Sequence, residues 1–436
     1  MPVGPDFGAT CDTEVPIPIS TNMASAQIIE KVGGVWAGDD LQRGFQIEVA
    51  SLLKRNNPRN FPGAQPVSFA RQHIEELKTQ DYFVCEKTDG IRYLMYLTSD
   101  DVSLDPNNPN APIERTPVVY LIDRKNKYYY VPRLRFPHQD NAPKKYDNFH
   151  VDTILDGELV EDRYPDGTST IKFLVFDLLV IDGKDLRERT LDKRLGYLKQ
   201  FILQPYKNWL KDFPEQRQRQ AFILEDKKTE FSYSLPTMFH EIIPQVKQLH
   251  GNDGLIFTCK GTKYESGTDP HILKWKPPEE NTVDFLMHIT WQSSGAPGDQ
   301  SEDYDALPAD VGLYIYHGRD QDYSRVGSLY LTPDEWETLK AKDEPLQDAI
   351  VECFLENITA GNGHSSNGTQ VNGHTEKRWR YHRLRDDKSE ANHVTTFESV
   401  KVSIEDHITQ QDLLDHADEI RSAWKTRDAR RPSRPQ

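Results

Sequence analysis

Apolar positions recur along this chain with two different spacings, and the change from one to the other marks its elements. Tyr82-Phe83-Val84-Cys85 reads as a short buried strand, and Ile91, Tyr93, Met95 and Leu97 alternate with Arg92, Leu94 and Tyr96 as a second strand would. Asp89-Gly90 between them is a turn signal, so the pair is predicted to fold back as a hairpin with Lys87 at its lip. Val118 to Arg124 and Tyr128 to Val131 flank a Lys125-Asn126-Lys127 turn, a further hairpin with Asp123-Arg124 at its tip. Strand-turn-strand is predicted again at Thr153 to Val160, around Asp156-Gly157. The run Lys172 to Gly183 is too apolar for a half-exposed strand and reads as a central one, buried on both faces. Asp253-Gly254 opens a strand to Thr258, and Ile272 to Lys276 places Lys274 and Lys276 on one strand face before Pro277-Pro278 ends it. Helical spacing covers Ser25 to Lys31, Asp40 to Leu53, Leu191 to Leu203 and Pro236 to Leu249. Phe61 to Phe69 reads as a fixed turn, and Ser99 to Pro117 as an exposed Asp/Asn/Pro loop.

Past Pro278 the pattern shortens. Val283 to Trp291, Val311 to His317, Val326 to Leu331, Ala349 to Leu355 and Arg378 to Leu384 are strand candidates, with a helix at Pro333 to Lys340. Five strands and one helix are the inventory of an OB barrel. Ser293 to Asp310 and the Gly/Asn/Ser/His tract of Asn357 to Glu376 interrupt it as loops, the second lacking any apolar period. After Val394 an apolar stripe through Phe397, Val400, Ile404, Ile408, Leu413 and Ile420 predicts a long helix that returns to pack on the first domain. The expected organisation is α+β: a flexible 1–24, an antiparallel-sheet-rich domain over 25–282, an OB-fold barrel over 283–393, a helical segment over 394–426 and a basic tail over 427–436.

Composition narrows the function classes. The 436 residues carry a formal charge of −16, which argues against indiscriminate nucleic-acid wrapping, although a basic groove can sit in an acidic protein. Cys11, Cys85, Cys259 and Cys353 have no paired spacing, so neither a disulfide framework nor a zinc knuckle is expected. No signal-peptide pattern and no membrane-length apolar run occur, so no membrane association is expected.

Candidate chemistry centres on Cys85-Glu86-Lys87-Thr88-Asp89-Gly90-Ile91-Arg92. Desolvation and neighbouring cations are the two ways to free a lysine lone pair for attack on an electrophile. The alternative for these residues alone is a surface hairpin with solvated charges. Likewise Phe176 alone reads as a core phenylalanine, the Asp-Gly pairs as turns, and the basic strand around Arg385 as a solvated edge.

The order KTDGIR, LIDRKNKYYYV, DGELV, FDLLVIDG, DGLIF, LKWKP and, past a barrel, WRYHRLRDDK resembles the motif set of the covalent nucleotidyltransferases, namely mRNA capping guanylyltransferases and polynucleotide ligases. The resemblance spans about Phe61 to Lys388. KTDGIR, LIDR, LKWKP and the closing Arg385-Asp386-Asp387-Lys388 are closer to the capping enzymes, and FPGAQPVSF and Asn281 to Phe285 look like the fungal branch. The resemblance implies that Lys87 attacks GTP and carries GMP as a phosphoramidate to the 5′-diphosphate end of RNA. It places Lys274 and Lys276 on the α-phosphate, and Arg92 and Arg124 at ribose and phosphate. Phe176 would stack on the base, with Glu86 also among the nucleotide-binding residues. Thr88 and Lys227 would read guanine, with Lys228 as a competitor for the second role. Glu158 and Asp253 would contact ribose or hold Mg²⁺ or Mn²⁺, and Arg385, Asp387 and Lys388 would swing over to the β- and γ-phosphates. No His-Cys-x5-Arg loop precedes Lys87, which with the resemblance implies a separate RNA 5′-triphosphatase subunit. A phosphorylated RNA polymerase II C-terminal domain as partner and a nuclear location follow from the resemblance alone. An ATP-dependent polynucleotide ligase and a catalytically dead scaffold of the same fold are the competing readings.

Overall fold

Two β-sheets face each other in the first body, and the chain crosses between them at Asp89-Gly90. A computed structural model describes residues 21–103, 113–139, 145–293, 302–318, 322–342, 344–359, 375–386 and 388–430. Residues 1–20, Asp387, the greater part of the 357–376 tract and the last six positions of the basic tail lie outside these described residues.

One sheet has the path Val35–Trp36, Tyr128–Tyr130, Ile113–Ile122, Ile91–Ser103, Thr153–Arg163, Ser169–Ile181 and Ile223–Asp226, with Lys184–Asp185 beside Ser169–Ile181. The other runs Thr229–Phe231, Tyr82–Thr88, Asn252–Cys259, Gly267–Trp275 and Ala64–Ser68. The expected lysine hairpin does not form, because its two strands belong to different sheets. Tyr82–Thr88 pairs with Thr229–Phe231 and Asn252–Cys259, whereas Ile91–Ser103 pairs with Ile113–Ile122 and Thr153–Arg163. The Asp89 N–H donates to the Gly251 carbonyl at 2.9 Å, which turns the chain across the gap.

Three further expectations change for physical reasons. Thr153–Arg163 is one continuous strand without a turn at Asp156-Gly157. A Cβ on Gly157 would lie 2.2 Å from the Phe173 ring, so that glycine admits a neighbouring aromatic and does not bend the chain. Phe61 to Phe69 contains the strand Ala64–Ser68, paired in parallel with Gly267–Trp275; Pro66 is tolerated because this is the edge of the sheet. The ladder between Ile91–Ser103 and Ile113–Ile122 runs on to the pair Ser103↔Ile113, so most of the expected 99–117 loop that is described is strand.

Helices form within the expected stretches 191–203 and 236–249, and also at Gln72–Thr79 and Gln204–Asp212, which the spacing did not predict. Leu191–Tyr197, Leu198–Leu203 and Gln204–Asp212 bury Leu198, Ile202, Tyr206 and Trp209 against the larger sheet. Gln72–Thr79 and the turns from Leu235 to Val246 bury Ile74, Leu77, Leu235 and Met238 under the smaller one.

Thr282–Thr290, Asp310–Tyr316, Tyr323–Tyr330, Ile350–Thr359 and Thr375–Leu384 close into a barrel. The order around it is first, second, third, fifth, fourth, and helix Pro333–Lys340 is opened by a capping box between Thr332 and Glu335. The apolar stripe after Val394 forms three helices, not one: Val394–Asp406, Gln410–Asp415 and Ala417–Ala429. His407 at φ 46° ends the first, and Thr409 caps the second through Asp412. The stripe does return to the first domain. Phe397 belongs to the barrel core, whereas Ile408, Leu413, Ala417 and Ile420 belong to the core under the smaller sheet. Trp424 packs edge-on to Phe231 and Tyr233, and Arg427 pairs with Asp81 at 2.8 Å.

Candidate active site

The gap between the sheets holds a cavity of about 430 Å³, and both sheets line it. Lys87 and Thr88 come from the end of Tyr82–Thr88, Lys274 from Gly267–Trp275 and Lys276 from just beyond it. The larger sheet contributes Arg92, Asp156, Glu158 and Phe176, while Arg124 and Lys227 follow directly after two of its strands. The crossing at Asp89-Gly90 is therefore what brings Lys87 and Arg92 to opposite walls of one chamber.

Lys87 Nζ donates to both oxygens of Asp253, at 2.5 and 2.7 Å. Lys276 reaches the same carboxylate at 2.9 Å. Burial resists ionisation of Asp253, but Lys87 and Lys276 outweigh it and hold the carboxyl below its usual range. Lys274 differs. Among the described residues no carboxylate lies within ion-pair distance of it, and burial together with Lys87, Lys276 and Arg124 pushes its ammonium down to about 8. Arg124 is also lowered, first by burial and then by Arg92. Lys87, Lys274, Lys276 and, from the facing sheet, Arg124 thus gather four positive charges around the single Asp253 carboxylate, the field a polyphosphate needs.

On the other wall, Lys227 is fully enclosed and ion-paired with Glu158. Lys228 is exposed, so Lys227 is the one of the two that reaches the cavity. Arg92 and Lys227 lie 5.6 and 5.7 Å from the Phe176 ring centre, so the phenylalanine is a cavity-wall aromatic flanked by cations and not a core residue. Thr88 is buried, and its hydroxyl has no hydrogen-bond partner. A lone buried hydroxyl on a cavity wall is costly unless something else binds there.

Three expected residues stand elsewhere. Glu86 alternates away from Lys87 and accepts a hydrogen bond from His250 Nε2 at 3.2 Å. His250 Nδ1 donates to Asp162 at 2.7 Å, and Lys172 links Asp162 and Glu225 at 2.8 and 3.0 Å. Burial would lower the His250 proton affinity, but its two carboxylate partners raise it to about 9. Glu86 therefore anchors the lysine strand and does not line the cavity. Arg385 and Lys388 are held in the barrel by Asp284, Arg385 at 2.7 Å, and neither lines the cavity; Asp387 lies outside the described residues.

The structure also adds residues that the motifs did not single out. Asp156 binds Arg92 through both oxygens, at 2.9 and 2.6 Å, and accepts from the Tyr264 hydroxyl at 2.6 Å. Tyr264 accepts in turn from the Ala64 N–H at 2.8 Å, tying the edge strand to the arginine. Asp177, next to Phe176, is clamped by Arg194 through two bonds of 2.8 Å. Asp156 was visible in the DGELV motif, whereas nothing local to Tyr264 or Arg194 announces a role.

A lysine-bearing cleft between two sheets, with an aromatic wall, paired carboxylates and a following five-stranded barrel, defines a two-domain enzyme of the nucleotidyltransferase class. Residues 29–278 match the family model for the mRNA capping enzyme catalytic domain, and residues 280–414 match that for the mRNA capping enzyme C-terminal domain. The mRNA-capping enzyme subunit alpha of Neurospora crassa is 46% identical over 91% of this chain and 94% of its own length. That of Schizosaccharomyces pombe is 41% identical over 92% and 91%. That of Saccharomyces cerevisiae is 29% identical over 93% and 89%. The chain belongs to the mRNA capping enzyme family.

Proposed function

We propose that this capping enzyme is a GTP:RNA guanylyltransferase that uses Lys87 as its nucleophile. Lys87 Nζ attacks the α-phosphorus of GTP, the bond to the β-phosphate oxygen breaks, and pyrophosphate leaves with that electron pair. A terminal oxygen of a 5′-diphosphate RNA then attacks the same phosphorus, the P–N bond breaks, and the lysine amine is regenerated with the guanylate joined to the RNA end. The observation that carries this reading is the placement of Lys87 in one cavity with Lys274 and Lys276 beside it and Arg124 on the facing sheet. Those cations meet the phosphate charge, and Lys274 is itself pushed down to about 8 by burial and by Lys87, Lys276 and Arg124. The Asp253 carboxylate, bonded to Nζ, orients the amine, and the proton that Nζ gives up on attack leaves to water.

Phe176 offers a stacking face, and the unpartnered Thr88 hydroxyl and the Lys227 ammonium offer hydrogen bonds to the base edge. A carbonyl at position 6 of the base suits both as donors, which favours guanine over adenine. Glu158, now paired with Lys227, and Asp253, now paired with Lys87 and Lys276, are the hard oxygen donors that would hold Mg²⁺ or Mn²⁺. When bound there, the ion would neutralise phosphate charge. Arg385 and Lys388 would reach the leaving phosphates only if the barrel moves and their bonds to Asp284 open; the segment Pro277–Asn281 is the covalent link across which it would turn.

The subunit alpha name of the relatives supports a partner subunit, which we assign as a separate RNA 5′-triphosphatase. We further infer a nuclear protein that meets the phosphorylated C-terminal domain of RNA polymerase II. No helix among the described residues is long and apolar enough to cross a membrane. The test is mass spectrometry of the chain after incubation with GTP and a divalent ion. A guanylate adduct on Lys87, absent from Lys87→Ala and from an ATP incubation, is expected; an adduct on the variant would overturn the assignment.

A further inference from the structure

Apart from the nucleotide cavity, three ligating side chains converge at the far end of the larger sheet. His138 and His150 lie in the stretch between strands Tyr128–Tyr130 and Thr153–Arg163, and Asp182 lies in the turn after Ser169–Ile181. One ligand atom from each lies within 4.8 Å of the others. Neither the covalent chemistry nor the base pocket uses them.

The scaffold holds all three rigidly. The His138 N–H donates to the Asn148 carbonyl at 3.0 Å and the His150 N–H to the Phe136 carbonyl at 2.9 Å, so the two histidines sit on one paired loop. Asp182 has φ 47°, and its own N–H donates to Thr153 Oγ1 at 2.8 Å. The imidazole rings stack at 4.0 Å between centres.

His150 supplies the decisive detail. Its ring is buried, with Nε2 at 3.0 Å from the Phe201 carbonyl oxygen. A carbonyl only accepts, so Nε2 carries the hydrogen. In a neutral ring, Nδ1 then bears a lone pair, yet it faces both Asp182 oxygens at 3.0 Å. Lone pair against carboxylate is repulsive, so a positive centre belongs between them, either a proton or a metal ion. His138 Nε2 approaches the same carboxylate at 3.4 Å. Two donors bound to zinc at about 2.0–2.1 Å in a tetrahedral shell lie about 3.3 Å apart, close to the 3.0 and 3.4 Å that separate the two ring nitrogens from Asp182. An imidazole whose other nitrogen donates to a backbone carbonyl is also the usual orientation of a metal-bound histidine. His138 and Asp182 are about one-third exposed, at 33% and 36%, leaving one side open to solvent for entry and for a water as fourth ligand.

We propose that His138, His150 and Asp182 form a site for a divalent transition-metal ion of the zinc class, separate from the catalytic ion. Such an ion would clip the loop preceding the Asp156–Glu158 strand to the turn after the Phe176 strand, the two strands that build one cavity wall.

The test uses the full chain, stripped with a chelator and titrated with Co²⁺ and then Zn²⁺ in a large excess of Mg²⁺, which keeps the catalytic carboxylates occupied. The expected result is one Co²⁺ per chain, with visible absorption bands of a four-coordinate nitrogen and oxygen site that Zn²⁺ bleaches. His138→Gln and Asp182→Asn should each lose that binding. Asparagine tolerates the positive φ at position 182, and His138 is partly exposed, so both variants should keep covalent labelling by GTP. Failure of the wild type to bind micromolar Co²⁺ or Zn²⁺ would assign the bridging position to a proton and overturn the proposal. Undiminished binding by both variants would overturn it equally.

Discussion

Lys274→Met should make this protein more stable while removing its activity. The ammonium is driven from the ordinary lysine value to about 8, by burial first and then by Lys87, Lys276 and Arg124. That is two to three decades of proton affinity, or about 3 kcal/mol at ~1.4 kcal/mol per decade. The sign follows from linkage. Below pH 8 the group is protonated in both folded and unfolded chains, so the folded state bears the whole penalty. Between pH 8 and the unfolded value near ~10.4 the folded chain binds fewer protons than the unfolded one, so wild-type stability gains as pH rises. Methionine has similar length and no charge, so at pH 7 the variant should melt higher, on the order of 6 °C for a domain this large. The gap should close towards pH 10. Scanning calorimetry at the two pH values measures both, and guanylate labelling measures the accompanying loss of function. A variant that melts at or below the wild type at pH 7, or a gap that does not change with pH, would refute the electrostatic reasoning.

His250→Leu should destabilise the chain by about 3–5 kcal/mol in chemical denaturation, because Glu86 and Asp162 would be left buried without their shared cation. With His250 raised to about 9, the wild type keeps that contribution in full below about pH 6.5 and loses it as pH rises through 9; a denaturation midpoint for His250→Leu equal to that of the wild type at pH 6 would contradict this. Thr88→Val should fold normally and leave phosphate binding intact, while the preference for GTP over ATP in competition labelling falls by roughly 10- to 100-fold, the worth of one base hydrogen bond of about 1–3 kcal/mol. An unchanged preference would remove Thr88 from base reading. Trp424→Ala should cost about 3–5 kcal/mol of stability, because the ring fills the space between Phe83, Phe231 and Tyr233; hydrogen exchange should show the loss concentrated in Tyr82–Thr88, and uniform protection would count against the docking described.

The candidate site was legible in the sequence far beyond the fold around it, and the reason is local. Lys87, Lys274, Lys276, Glu158 and Phe176 stand in short runs whose residue types are set by chemistry, and an ordered set of such runs is readable without knowing which strands pair. Pairing itself is not local. Asp89-Gly90 is a real turn, but whether it closes a hairpin or crosses between sheets depends on Thr229–Phe231 and Asn252–Cys259, over a hundred residues away. The same dipeptide at Asp156-Gly157 is no turn at all, since its glycine makes room for Phe173. Gly254 does likewise, because a Cβ there would meet the Trp275 carbonyl oxygen at 2.0 Å. Glu86 looked like a ligand because it adjoins Lys87, and strand alternation sends it to His250. Tyr264 lines the cavity from outside every recognised run, and Arg194 acts through Asp177, so no motif could mark them. The barrel was readable throughout its five strands because each is short, alternating and bounded by turn residues.

The return of Ile408 to Trp424 to the smaller sheet has a consequence for biosynthesis. The ribosome finishes the strand bearing Lys87 more than three hundred residues before it makes the side chains that cover the strand's outer flank. Until the barrel has emerged and the terminal helices follow it, the nascent catalytic domain keeps an oily face open, a window in which aggregation competes with folding. Expression of the catalytic domain alone would make that window permanent.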